Sequence, residues 1–335
     1  MEISHVNPMQ FNYDGKKQKT GKVAPSVLAT IGGVTLGSVA QSGINAVSKM
    51  PNKHIMGKIS GICMENADSF EKVTNAVQQT LKDKGVLEKG VRILNASTEA
   101  GAAEVEKVVA EELAKNKLLS KVPKTGRDIA GTVLSSLFEG GGNAAYLPKT
   151  KTIVLSGDKL GLTAFHETGH ALNANASKIG RALQACRGAS ILSLPIALVA
   201  VLKRPKMEGE QPKGAVDKAT TFIKKNAGKL TFATFLPMLI EEGMASVKGC
   251  KIAKTVSPEI FKATCKVNGL AYLTYLGLAV AASVGVAVAR NIRDKIAINS
   301  MKKKQQKAQE KLVKLQQQEM MKRNQYKIPV YYGMN

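Results

Sequence analysis

The chain has 335 residues, 44% of them hydrophobic, and 49 Lys+Arg against 25 Asp+Glu give a formal net charge of +24. So high an apolar share excludes an intrinsically disordered chain, and the length is enough for one or two domains with a core. The four cysteines form no CxxC pair, which excludes a disulfide scaffold and a Cys-rich zinc module, and with 4% aromatics and no Trp the basic excess lacks the stacking platforms of a single-strand nucleic-acid binder.

Residues 1–65 read as a polar, basic N-terminus followed by a Gly-rich stretch. Lys16, Lys17, Lys19 and Lys22 precede an uncharged run from Val23 to Ser48, in which Gly33 and Gly37 have the GxxxG spacing of close-packed membrane helices. The run is long enough to cross a bilayer yet only weakly apolar, so a membrane helix and a loosely packed Gly-rich segment are both open readings. Residues 66–122 read as amphipathic and helical. Val105, Val108, Val109 and Leu113 recur at helical spacing and make one apolar stripe on a solvated helix.

Pro123, Gly126 and Gly140 to Gly142 break that pattern. Asn143 to Leu147 and Thr152 to Ser156 then predict two short strands joined by a turn through Pro148 to Lys151, and Asp158 is the expected N-cap of a helix running through Leu172. Further on, Gly188 to Leu202, Leu230 to Ile240 and Gly269 to Ala289 are uncharged runs of 15, 11 and 21 residues. By length only the last predicts a spanning helix, within a segment 266–298. Residues 299–335 form a basic Lys/Gln-rich tail, expected to be a solvated helix or arm that contacts anionic lipid.

The chemistry is concentrated in His166-Glu167-Thr168-Gly169-His170. Residues i and i+4 of a helix project from one face a turn apart, so the two imidazoles can converge on one Zn²⁺ while Glu167 stands beside a bound water as general base. A catalytic zinc needs a third protein ligand. No histidine follows His170, so a carboxylate is expected, and Glu241 and Glu242, ending the apolar run Leu230 to Ile240, are the candidates.

This ordered set resembles the gluzincin metallopeptidases, in particular the integral-membrane group of the CAAX prenyl proteases and the heat-shock protease HtpX. The likeness runs over Asn143-Ala144, then His166 to His170, then two apolar runs, then Glu242-Gly-Met-Ala245. It implies a mostly helical α+β fold with a small sheet, a zinc metallopeptidase core over 123–265, and hydrolysis of peptide bonds in extended or membrane-protein substrates. Aligned on Glu-x-x-Ala, it makes Glu242 the third ligand and Glu241 a neighbour, and it gives Asn143 and Ala144 to the main chain of the substrate. Ser246 stands where the family has an acid, and so is expected to be a weaker support for a ligand imidazole. Tyr272, Tyr275 and Arg290 are available to stabilise a transition state, and the likeness selects none of them. The resemblance and the positive flank beyond Arg290 imply a protein of a bacterial-type cytoplasmic membrane with its tail in the cytoplasm. A non-catalytic membrane scaffold and a soluble zinc peptidase are the alternatives.

Overall fold

The computed structural model describes residues 54–115, 144–155 and 160–325. The Gly-rich run 23–48, Asn143 and Asp158 lie outside them. The fold is mostly helical with one three-stranded sheet.

A helical stretch over 54–64 and a 3-10 turn, Ala67–Ser69, lead into α1 (Phe70–Asp83), which buries Val73, Val77 and Leu81 at four-residue spacing. The chain then departs from the helical pattern expected for 66–122. Gly85 and Gly90 take positive φ, a conformation open to glycine, and the chain turns through them into β1 (Arg92–Asn95). Helix α2 (Glu99–Ala114) follows, with the Thr98 hydroxyl accepting from the Gly101 amide. It buries Val105, Val108 and Val109 of the expected stripe against Leu147 and Val154 of the sheet.

Strands β2 (Ala145–Leu147) and β3 (Thr152–Leu155) form the expected hairpin. Its turn is held by the Glu112 carboxylate, which accepts from the Lys149 and Thr150 amides. β3 is central, parallel to β1 and antiparallel to β2, so β2 is an outer strand.

Behind the sheet lie α3 (Thr163–Ala176) and α4 (Lys178–Ala185), and after a 3-10 segment, Arg187–Leu192, come α5 (Ser193–Leu202) and α6 (Gly214–Lys225). α7 (Ala227–Ala253) turns back into α8, a single 68-residue helix over Pro258–Gln325. No break separates the apolar stretch of α8 from the basic tail. α3, β3, α1 and the paired ends of α7 and α8 share one core around Phe165, Ile153, Val77, Ile252 and Val267.

Among the described residues three helical stretches are long and apolar enough to cross a membrane, where run length alone predicts one: Lys178–Leu202, Ala227–Ala253 and the first part of α8. They are continuous through charged residues that cut the sequence into shorter runs, Arg187 in the first and Glu241 and Glu242 in the second. Their outer surface carries exposed Leu194, Leu198, Leu236, Ile240, Leu278, Val280 and Val284. So broad an apolar belt suits lipid better than water.

Candidate metal centre

α3 buries ten consecutive residues, Ala164 to Asn173, so both histidines and Glu167 lie inside the protein. Two close approaches bring α7 against this turn. A Cβ on Gly169 would stand 2.2 Å from the Ala245 carbonyl oxygen, and one on Gly249 would stand 2.8 Å from that of Phe165. Only glycine allows backbones that near. The crossing carries Glu242, one turn before Ser246, directly over the histidine pair.

Glu242 Oε2 lies 3.1 Å from His166 Nε2 and 3.5 Å from His170 Nε2, and the two Nε2 atoms are 3.0 Å apart. Three donor atoms of the kinds that bind transition metals thus converge on one point, with Glu167 grouped beside the histidines. The other face of each imidazole is also held. Ser246 Oγ is 3.2 Å from His166 Nδ1, and Glu241 Oε1 is 2.8 Å from His170 Nδ1. The adjacent glutamates therefore face different nitrogens: Glu242 the inward Nε2 pair, Glu241 the outward Nδ1 of His170.

Glu241 and Glu242 are wholly buried, and Glu167 is 7% exposed. Arg187, at the start of the 3-10 segment, spans the pair: its Nη1 donates to Glu241 Oε2 at 2.7 Å and its Nη2 to Glu242 Oε1. Asn173 Nδ2 and Gln184 Nε2 also donate to Glu241 Oε1, at 2.9 and 3.2 Å, and Lys248 holds Asn173. Burial opposes protonation of His170, but the hydrogen bonds that its ring donates to the Glu241 and Glu242 carboxylates prevail and raise its pKa to about 10. Arg187 and, through Asn173, Lys248 hold the glutamates from the other side. The donor set suits a divalent metal, and these buried His and Glu groups could hold one.

A cleft of about 640 Å³ opens onto Glu167 and His170. The outer strand lines one side through Ala144, Ala145 and Tyr146, and Arg187 and Tyr275 line the other. Ala144 thus lies at the cleft immediately before β2. Of the three residues available as stabilisers, Tyr275 reaches the cleft. Tyr272 packs near Gly243, where α7 meets α8, and Arg290 lies at the opposite end of the bundle, donating to the carbonyls of Lys224 and Lys225.

Sequence reasoning missed Arg187, Asn173 and Gln184. Arg187 left one trace, as the last charge before the uncharged run from Gly188 to Leu202. Compared with models of protein families, with curated proteins and with solved structures, the chain matches none.

Proposed function

We propose that the protein is a membrane-anchored zinc endopeptidase of the gluzincin kind. The observation that carries this reading is the convergence of His166 Nε2, His170 Nε2 and Glu242 Oε2 with Glu167 alongside. Two imidazoles and one carboxylate form the ligand set of a catalytic zinc, which leaves a coordination position for water or substrate. When bound, the ion supplies Lewis-acid polarisation of the scissile carbonyl and lowers the pKa of water.

The chain's own groups do the rest. Glu167 takes a proton from the attacking water on a carboxylate oxygen and passes it to the leaving amide nitrogen. Ser246 and Glu241 fix the rings of His166 and His170 through their Nδ1 atoms, so that each Nε2 lone pair faces inward. Arg187 holds Glu242 by Oε1 and leaves Oε2 to the histidines. An extended peptide lying along the outer strand β2 would pass Ala144 and Ala145 on its way to Glu167. The exposed apolar belt supports membrane anchoring over a soluble peptidase.

Metal analysis beside a peptide-hydrolysis assay tests the reading. Wild type should carry one zinc per chain and His166→Ala should lose it. Glu167→Gln should keep the zinc and lose hydrolysis by roughly 100-fold or more. Zinc retained in His166→Ala would sink the metal site, and a zinc-loaded wild type inert on all peptides would favour a scaffold.

A further inference from the structure

We propose that this centre works on the face of the membrane opposite the cytoplasm, and that its substrates are extended stretches of proteins lying close to the lipid on that face. The substrate part rests on the endopeptidase reading; the sidedness rests on the bundle alone.

The register of α7 against α8 shows which parts of the chain share an end. Gly228 faces Ser283 and Ala287, Gly243 faces Tyr272, and Asn268 donates to the Ser246 carbonyl, so the two helices run antiparallel. Beyond Gly228, Arg290 donates to the carbonyls of Lys224 and Lys225, and Lys224 pairs with Asp294 at 2.6 Å. The connection from α5 to α7 and the start of the basic tail therefore lie together at one end. The histidines, Glu241, Glu242 and the sheet lie at the other.

The two ends differ in cation count. The far end has eight Lys/Arg in 203–229 and seven in 290–307, whereas the metal-centre end has five in 241–268 and three in 172–187. Lys and Arg within some 15–20 residues of the helix ends set orientation, and the richer side stays in the cytoplasm. With three spans, that places the connection and the tail inside and the metal centre outside. The lysines at 16, 17, 19 and 22, ahead of the uncharged run 23–48, would orient a span there the same way.

The apolar layer between the ends is short. Fifteen residues separate Arg187 from Lys203, eleven separate Lys229 from Glu241, and fourteen separate Tyr275 from Arg290. At 1.5 Å per residue these correspond to roughly 16–23 Å, less than the ~30 Å of a hydrocarbon core. With the basic end fixed at one boundary, the cleft lies within the opposite part of the lipid layer and does not stand above it. A substrate reaching it is a segment leaving or skirting the membrane.

Thiol labelling with a membrane-impermeant maleimide tests this in the full-length chain, because Cys186 is an exposed cysteine at the metal-centre end. The label should enter Cys186 in intact cells and disappear in Cys186→Ser. In that background Glu106→Cys, on α2, should also label in intact cells, and it serves where Cys186→Ser alone is uninformative. Glu208→Cys and Gln306→Cys should label only after permeabilisation. The opposite pattern would put the centre in the cytoplasm, and labelling or protection of all four positions alike would overturn the crossing itself. Zinc content of the same preparations is read separately. A loaded centre with reversed labelling defeats only the sidedness, and an empty centre with the expected labelling defeats only the peptidase reading.

Discussion

The bundle buries charge at both ends, and the two clusters differ in kind. At the basic end the Lys224 ammonium is 6% exposed and donates to the carbonyls of Ala200 and Lys203 at 2.8 Å each, with Asp294 at 2.6 Å. Two carbonyls accept from it and one carboxylate pairs with it, with Arg290 and Arg293 close by. At the other end Glu167, Glu241 and Glu242 face the single guanidinium of Arg187 and two imidazoles whose Nε2 atoms stand 3.0 Å apart. Uncompensated buried charge is costly, so an ammonium held by carbonyls and a carboxylate serves as a structural tie, whereas buried carboxylates converging on nitrogen lone pairs suit a cation from outside.

The largest effects should come from the pair Glu241 and Glu242. Glu242→Ala removes the carboxylate that faces both Nε2 atoms and should lower zinc affinity by more than about 100-fold. Glu241→Ala removes the partner of His170 Nδ1 and should cost roughly 10- to 100-fold, the range for supports of a ligand. Isothermal titration with zinc separates them. Equal losses would erase the division of roles between the two glutamates.

Next is the tie at the basic end. Lys224→Met strands Asp294 and should destabilise the fold by about 3 kcal/mol, whereas Lys224→Met with Asp294→Leu should recover most of it. In both variants the stabilisation gained on adding zinc should equal that of wild type, since the proposed metal centre lies at the other end. Thermal melts in detergent with and without chelator measure this. A zinc response that changes with Lys224 would show the two clusters to be coupled.

A smaller change at the helix crossing probes how the charge-rich end is assembled. Gly169→Ala puts a Cβ 2.2 Å from the backbone oxygen of Ala245, where no flexible side chain can give way. The helices must part, at about 1–3 kcal/mol, and Glu242 moves away from the histidines. Thermal unfolding should show the loss, and zinc titration a weaker site. Gly243→Ala on the same helix, 3.6 Å from Tyr272, should be nearly silent in both.

What the sequence discloses of these two ends follows from the range of the interactions. The His-Glu-x-x-His spacing, the β2–β3 hairpin and the stripe on α2 are set by neighbours within a few residues, and each is visible in the chain. β1 is not. It pairs with β3, sixty residues away, and its four residues have no alternation to distinguish them from the helical pattern on either side. Arg187 reads as the polar edge of an apolar run because its partners, Glu241 and Glu242, are more than fifty residues off. The same distance hides the antiparallel register that gathers the two basic segments at one end. Gly169 looks like a filler within the motif, and its need for no side chain is created by α7.

Ser246 gives the finest test of the charge-rich end. Its hydroxyl, 3.2 Å from His166 Nδ1, supports an imidazole without adding negative charge. Glu167, Glu241 and Glu242 are already buried together here, and a fourth buried carboxylate would raise the cost of the metal-free state. Ser246→Ala should therefore weaken zinc by about 10-fold, through looser orientation of His166. Ser246→Asp should bind zinc more tightly than wild type yet be less stable than wild type without it, because the ion supplies the charge that the extra carboxylate requires. Zinc titration and chelator-treated melts on the two variants read both quantities. If Ser246→Asp matched wild type in the metal-free melt, the crowding of buried carboxylates would not be what distinguishes this end of the bundle from the Lys224 end.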